Sequence, residues 1–260
     1  MEKALYYMFK DNLIKQKMLS YFLLVFVTNA CFMFGAYYLT LIKANPSLIT
    51  YSMGFILAGL ILAFPAAGYY MSCIKSIMTQ DENIVLPTIH LGKNFVFGFK
   101  YFLTVLLFAL CFVLVYSFFA VLLIFLFKYT NLSLIVSLMS IFLILLMLIF
   151  LFFIWIISLA LLAIFAKTEF YTSLFRYPLA IKLIKNNPGN YFISFLLYVA
   201  VAIFMGIINS FLNIFIINKV LLLFGVILIS AVASYFIFVT AYIVAKSVDS
   251  KLIEIKTNEL

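Results

Sequence analysis

KTEFYTSLFRYPLAIKLIKNNPGNY, residues Lys167 to Tyr191, is the longest break in an otherwise almost continuous apolar sequence. Within it, Leu179, Ala180, Leu183 and Ile184 share one helical face, while Lys182, Lys185 and Asn186 share the other. The pattern predicts a basic amphipathic helix in the headgroup layer, its lysines toward anionic lipid. Asn187-Pro188-Gly189 then predicts a sharp structural turn. Pro188 disfavours helix at Asn187, yet suits the first position of the helix that follows, with Asn187 as its N-cap. One helix stops here and a membrane-spanning helix starts in another direction.

Composition supports that setting. Hydrophobic residues make up 68% of the chain, including 32 Phe and 17 Tyr, and the mean hydropathy is +1.28. Those values lie far outside the range of soluble domains. Apolar runs of more than about 18 residues predict spanning helices and exclude a β-barrel, whose strands alternate. The fold class is therefore all-α: a polytopic helical membrane protein forming a single membrane domain over residues 1–260.

Outward from the opening stretch, six spans are predicted at about 19–42, 48–74, 101–127, 132–166, 192–217 and 220–245. Basic interfacial segments at 1–18, 75–100 and 167–191 each precede a pair of spans, so the organisation reads as threefold. The N-terminal segment also resembles a signal peptide, but the run after it is too long for an h-region and lacks a small-residue cleavage site. Residues 246–260 form a mixed-charge tail. In the second span Gly54, Ala58, Gly59, Ala63 and Ala67 make rows of small residues that predict close approach of a neighbouring helix. Pro65 predicts a kink in its later half.

Charge sets the orientation. Fourteen Lys/Arg fall in the N-terminal segment, the second and fourth connections and the tail; Lys43, Lys128 and Lys219 alone fall in the other three. The positive-inside rule then puts both termini in the cytoplasm, N-in/C-in. The net charge of +9 is a topology signal at helix ends and predicts no nucleic-acid partner.

Two stretches carry a family likeness. Phe64-Pro65-Ala66-Ala67-Gly68-Tyr69, Leu86-Pro87 and LGKNFVFGFK form one half of the pattern, and FRYPLAIKLIKNNPGNYFISFLL the other. Together they resemble the bacterial and archaeal membrane proteins grouped as domain of unknown function 4013, over most of residues 1 to 245. The resemblance implies an all-helical protein of a bacterial or archaeal inner membrane and carries no assigned activity. The chain departs from the pattern after Leu86-Pro87, where Thr88-Ile89-His90 stands in place of an aromatic or acidic residue. A weaker likeness is to the multi-span regions that accompany some glycerophosphodiester phosphodiesterases.

Little of the sequence suits catalysis. One histidine, His90, and the scattered Cys31, Cys73 and Cys111 do not make a metal-ligand set. Asp81 and Glu82 are adjacent loop carboxylates, a poor acid/base pair, and no phosphate-binding or dinucleotide fingerprint occurs. The expectation is a non-enzyme without cofactor or metal. Its preferred role is organising membrane, lipid or partner proteins, with anionic lipid met by Lys10, Lys15, Lys93, Lys182 and Lys185. The alternative is a transporter or channel for a neutral or lipid-like solute. The predicted spans contain no ionisable Asp, Glu, Lys, Arg or His, which ion-coupled transporters usually keep. Asn29, Asn209 and Asn213 are instead the candidates for a polar seam or cavity. Homo-oligomerisation is open, and no protein partner can be named.

Overall fold

The computed structural model describes residues 13–42, 45–79, 85–129, 133–215 and 219–248. Every regular element among them is helical: α1 (Ile14–Leu41), α2 (Leu48–Thr79), α3 (Leu91–Tyr129), α4 (Ser133–Thr168), α5 (Tyr177–Asn186), α6 (Pro188–Phe215) and α7 (Lys219–Ser247), with a turn of 3₁₀ helix at Tyr171–Phe175. Each long helix carries one of the apolar runs. Such runs favour helix because in a membrane each backbone polar group must find its partner within the chain. Among the described residues, three stretches, Ile14–Leu41, Leu48–Thr79 and Leu223–Ser247, are long and apolar enough to cross a bilayer.

Several helices overrun the apolar runs at their basic ends. LGKNFVFGFK forms the opening turns of α3, and Ile14 to Met18 open α1. The physical reason is the absence of any breaker: no proline separates Leu91 from Tyr101 or Ile14 from Leu19. Residues 1–12, which include Lys10, residues 80–84 with Asp81 and Glu82, and residues 249–260 lie outside the described residues.

Helix α2 is the hub. It packs most extensively along α1 and α3 and also meets α4 and α7; α7 in turn meets α1, α4 and α6. The α2–α3 crossing is backbone on backbone. A Cβ on Gly68 would overlap the Asn94 carbonyl oxygen, and one on Gly98 would overlap that of Phe64. Beside this crossing, the Phe64 ring meets the edges or faces of Phe95, Phe99 and Phe102 at 5.3–5.4 Å. Tyr21, Tyr69 and Phe238 join α1, α2 and α7 with centroid separations of 5.0–6.2 Å. Pro65 lies buried inside α2, which runs on through it.

The small-residue rows do something other than expected. Gly59 meets the Phe32 ring of α1, but Gly54 has nothing within 4 Å. Ala63 and Ala67 line a cavity. A backbone-on-backbone approach is made by Gly68 and Gly98 instead.

The opening stretch folds as its sequence implies. Leu179, Ala180 and Leu183 are buried and Lys182, Lys185 and Asn186 exposed on α5. Asn187 breaks the helix at φ −147°, and Pro188 is the first residue of α6. The apolar face of α5 is covered by protein, however, since Leu179, Ala180 and Leu183 belong to the main core and α5 packs on α4. The exposed side carries Lys182, Lys185 and Asn186 together with Tyr177 and Ile181.

Candidate functional site

Two side-chain bonds gather the basic ends of the helices. The Lys17 ammonium, at the start of α1, donates to the Leu86 carbonyl ahead of α3. Lys75 on α2 pairs with Glu169 just after α4 at 2.7 Å. Glu169 has φ 58°, in the left-handed region that non-glycine residues rarely adopt. There its amide closes the end of α4 onto the Phe165 carbonyl at 2.8 Å, a capping geometry usually given to glycine. Its carboxylate is thereby placed to meet Lys75.

A cavity of about 470 Å³ lies between α1, α2, α6 and α7. Its size falls within the roughly 300–1,000 Å³ of small-molecule sites. Ala63, Ala66, Ala67 and Ala233 leave the room, and Tyr21, Tyr70, Tyr198 and Phe236 wall it. Polar groups are few and neutral. Thr28, Asn29 and Thr240 line it, the Asn29 amide donates to Ser230 at 3.1 Å, and the buried Tyr21 hydroxyl has no hydrogen-bond partner. A site of this kind holds an apolar body and orients one neutral polar end.

A second, smaller pocket of about 340 Å³ lies at the basic end, among Lys75, His90, Lys93, Asn94 and Glu169. His90 is exposed, with Nε2 2.9 Å from the Thr88 hydroxyl.

Of the residues singled out in the sequence, Asn29 lines the larger cavity, while the side chains of Asn209 and Asn213, on α6, lie outside the described residues. Lys15, Lys93, Lys182 and Lys185 are exposed. Lys93 lines the smaller pocket, and Asn187, Pro188 and Gly189 sit at the α5–α6 junction. Cys31 and Cys73 are free thiols, and no group of His, Cys, Asp or Glu suited to a metal occurs among the described residues. Tyr21, Asn94, Lys17 and the Lys75–Glu169 pair were not singled out. Their partners lie 69 to 94 positions away in the bonds of Lys17 and Lys75, a separation that local pattern does not bridge.

A family profile described as protein of unknown function (DUF4013) matches residues 51–214. The chain belongs to this family. The match spans α2 through nearly all of α6, and so includes the α2–α3 crossing and the α5–α6 junction. No curated protein and no solved structure matches the chain.

Proposed function

We propose that this DUF4013 protein is a six-span, N-in/C-in protein of a bacterial or archaeal cytoplasmic membrane that binds a neutral, lipid-like amphiphile without catalysing a reaction. The single observation that carries the reading is the cavity between α1, α2, α6 and α7, apolar in its walls and neutral in its few polar groups. A charged solute would meet no ionised partner there and would lose its hydration. An acyl or isoprenoid chain with a hydroxyl or carbonyl end loses little. Exposed Lys15, Lys182 and Lys185 hold anionic lipid around the basic end, each for about 1 kcal/mol.

The threading has its own support. The Lys17–Leu86 and Lys75–Glu169 bonds tie the start of α1, the α2–α3 connection and the end of α4 to one end of the bundle. That arrangement agrees with alternating spans, and the fourteen-to-three charge asymmetry supports a cytoplasmic side for this end. In a cysteine-free background, single cysteines at Ala44, Thr130 and Asn218 should react with an impermeant thiol reagent from outside, whereas those at Asn83, Asn187 and Thr257 should not. Reversed labelling would overturn the orientation, and a mixed pattern the span count.

The ligand is tested by filling its space. Ala67→Leu and Ala233→Leu each put three carbons into the cavity, displacing ligand contact of about 2 kcal/mol, or roughly thirtyfold in affinity. Mass spectrometry of protein purified in mild detergent should show a lipid-like species retained by wild type and lost from both variants. Melting temperature should hold or rise. Equal retention in all three proteins would remove the cavity from consideration. Transport is the second reading, supported by the room left between α1, α2, α6 and α7; uptake of the identified species into proteoliposomes separates carrying from holding.

A further inference from the structure

The smaller pocket has features that the apolar cavity does not explain. Residues 72, 75 and 76 lie on one face of α2, and residues 90, 93, 94 and 97 make one stripe at the start of α3. The pocket between them is lined by Ser72, Lys75, Ser76, His90, Lys93 and Asn94, with Glu169 at its side. His90, Lys93 and Asn94 bring the first turn of α3 to the pocket wall. The leading N–H groups of a helix have no partner within it, and they carry partial positive charge.

Asn94 supplies the second, independent observation. It is 2% exposed, it lines the pocket, and its Nδ2 is buried without a hydrogen-bond partner. The Ser72 hydroxyl donates to the Gly68 carbonyl at 2.9 Å and stands 3.5 Å from Asn94 Oδ1, and the amide donor is the group without a partner. Native proteins rarely bury a donor unpaired. A donor kept dry beside two lysines and a helix N-terminus is the arrangement that oxyanions complete.

We propose that this pocket binds a phosphate group. Lys93, the Asn94 amide and the leading N–H groups of α3 supply donors from different directions, which suits an anion with several equivalent oxygens. Lys75 is the adjustable member. It is held by Glu169 at 2.7 Å, so a bound phosphate shares this lysine with the carboxylate, and the Glu169 charge sets a ceiling on affinity. The inference does not depend on the apolar cavity being occupied. It gives one of the exposed lysines, Lys93, a defined seat, and leaves Lys182 and Lys185 as diffuse charge.

The phosphate could arrive on a lipid headgroup or free in solution, and two arms separate these sources. Inorganic phosphate is titrated into delipidated full-length protein by calorimetry. Separately, binding of phosphatidylglycerol is followed by native mass spectrometry from phosphatidylcholine nanodiscs doped with it. Saturable one-to-one binding in both arms identifies a phosphate seat open to either source; binding in one arm alone assigns the source. No saturable binding in either arm overturns the proposal.

Variants fix the location. Asn94→Leu and Lys93→Gln should each weaken binding about tenfold, the share of one charge-assisted hydrogen bond. Glu169→Gln should tighten it by releasing Lys75. Lys246→Gln, at an exposed residue of α7 that does not line the pocket, should leave calorimetric affinity unchanged. The ligand-free melting temperature of Asn94→Leu should hold or rise, since the change removes a buried unpaired donor. Wild-type affinity in Asn94→Leu, or an equal loss in Lys246→Gln, would overturn the proposal in favour of unspecific surface charge.

Discussion

Gly68→Leu and Gly98→Leu should each yield almost no folded protein, and Gly68→Ala or Gly98→Ala should already lower the melting temperature steeply. The reason is that the crossing of α2 and α3 has no side chain to spare. A Cβ on Gly68 would overlap the Asn94 carbonyl oxygen and stand 2.8 Å from the Gly98 nitrogen; one on Gly98 would overlap the Phe64 carbonyl oxygen and stand 2.8 Å from the Gly68 nitrogen. All of these are backbone atoms, so no rotamer change relieves the clash. The two helices must separate, which loosens the Phe64 contacts with Phe95, Phe99 and Phe102. Overpacking a core usually costs about 1–3 kcal/mol. A rigid backbone crossing belongs at or beyond the top of that range. Gly54→Ala is the control, with nothing within 4 Å of the added methyl and about 1 kcal/mol of helix propensity to gain. Detergent yield and thermal unfolding of the four crossing variants beside Gly54→Ala decide the matter. Wild-type melting in Gly68→Ala would mean that the helices do not cross this closely.

That crossing also shows what the sequence could and could not convey. The apolar runs dictated where helices form, because a long run without a breaker has one low-energy backbone solution in lipid. The α5–α6 junction was equally legible, since Pro188 restricts Asn187 and the lysine spacing marks one exposed face. Facing partners were not legible. Small residues four apart in α2 share a side, but spacing within one helix does not say what lies opposite. Gly59 met a phenylalanine ring, Ala63 and Ala67 met a cavity, and Gly68 met the backbone of α3. Gly98 lies thirty positions further on, in a stretch read as interfacial. Only tertiary packing pairs it with Gly68. The larger cavity was hidden for the same reason. Of its polar lining, Asn29 was visible as a lone amide in an apolar run, whereas the unpartnered hydroxyl of Tyr21 looks like any other interfacial tyrosine.

Charge poses the sharpest case, because Lys15 and Lys17 carry equal weight as topology signals and stand in different environments. Lys15 is exposed. Lys17 is 6% exposed, and its ammonium donates to the Leu86 carbonyl, in a residue itself 1% exposed. This bond fastens the first turns of α1 to the segment that leads into α3. Lys17→Met keeps the length of the stem and removes the donor, so the hydrogen bond to the Leu86 carbonyl is lost, at a cost of about 1–3 kcal/mol. Lys17→Glu is far worse. It sets a buried carboxylate against a carbonyl oxygen, and uncompensated buried charge costs about 3–5 kcal/mol, enough to remove most folded protein of ordinary stability. Lys15→Glu should stay within about 0.5 kcal/mol of wild type, as surface changes do. If both lysines served topology alone, the two glutamate variants would behave alike in yield, melting and labelling from outside. The expected result is instead a folded Lys15→Glu, a weakened Lys17→Met and an unfolded Lys17→Glu, with the labelling pattern unchanged in the variants that fold, because in the proposed six-span threading thirteen or more basic residues on one side still outnumber three on the other.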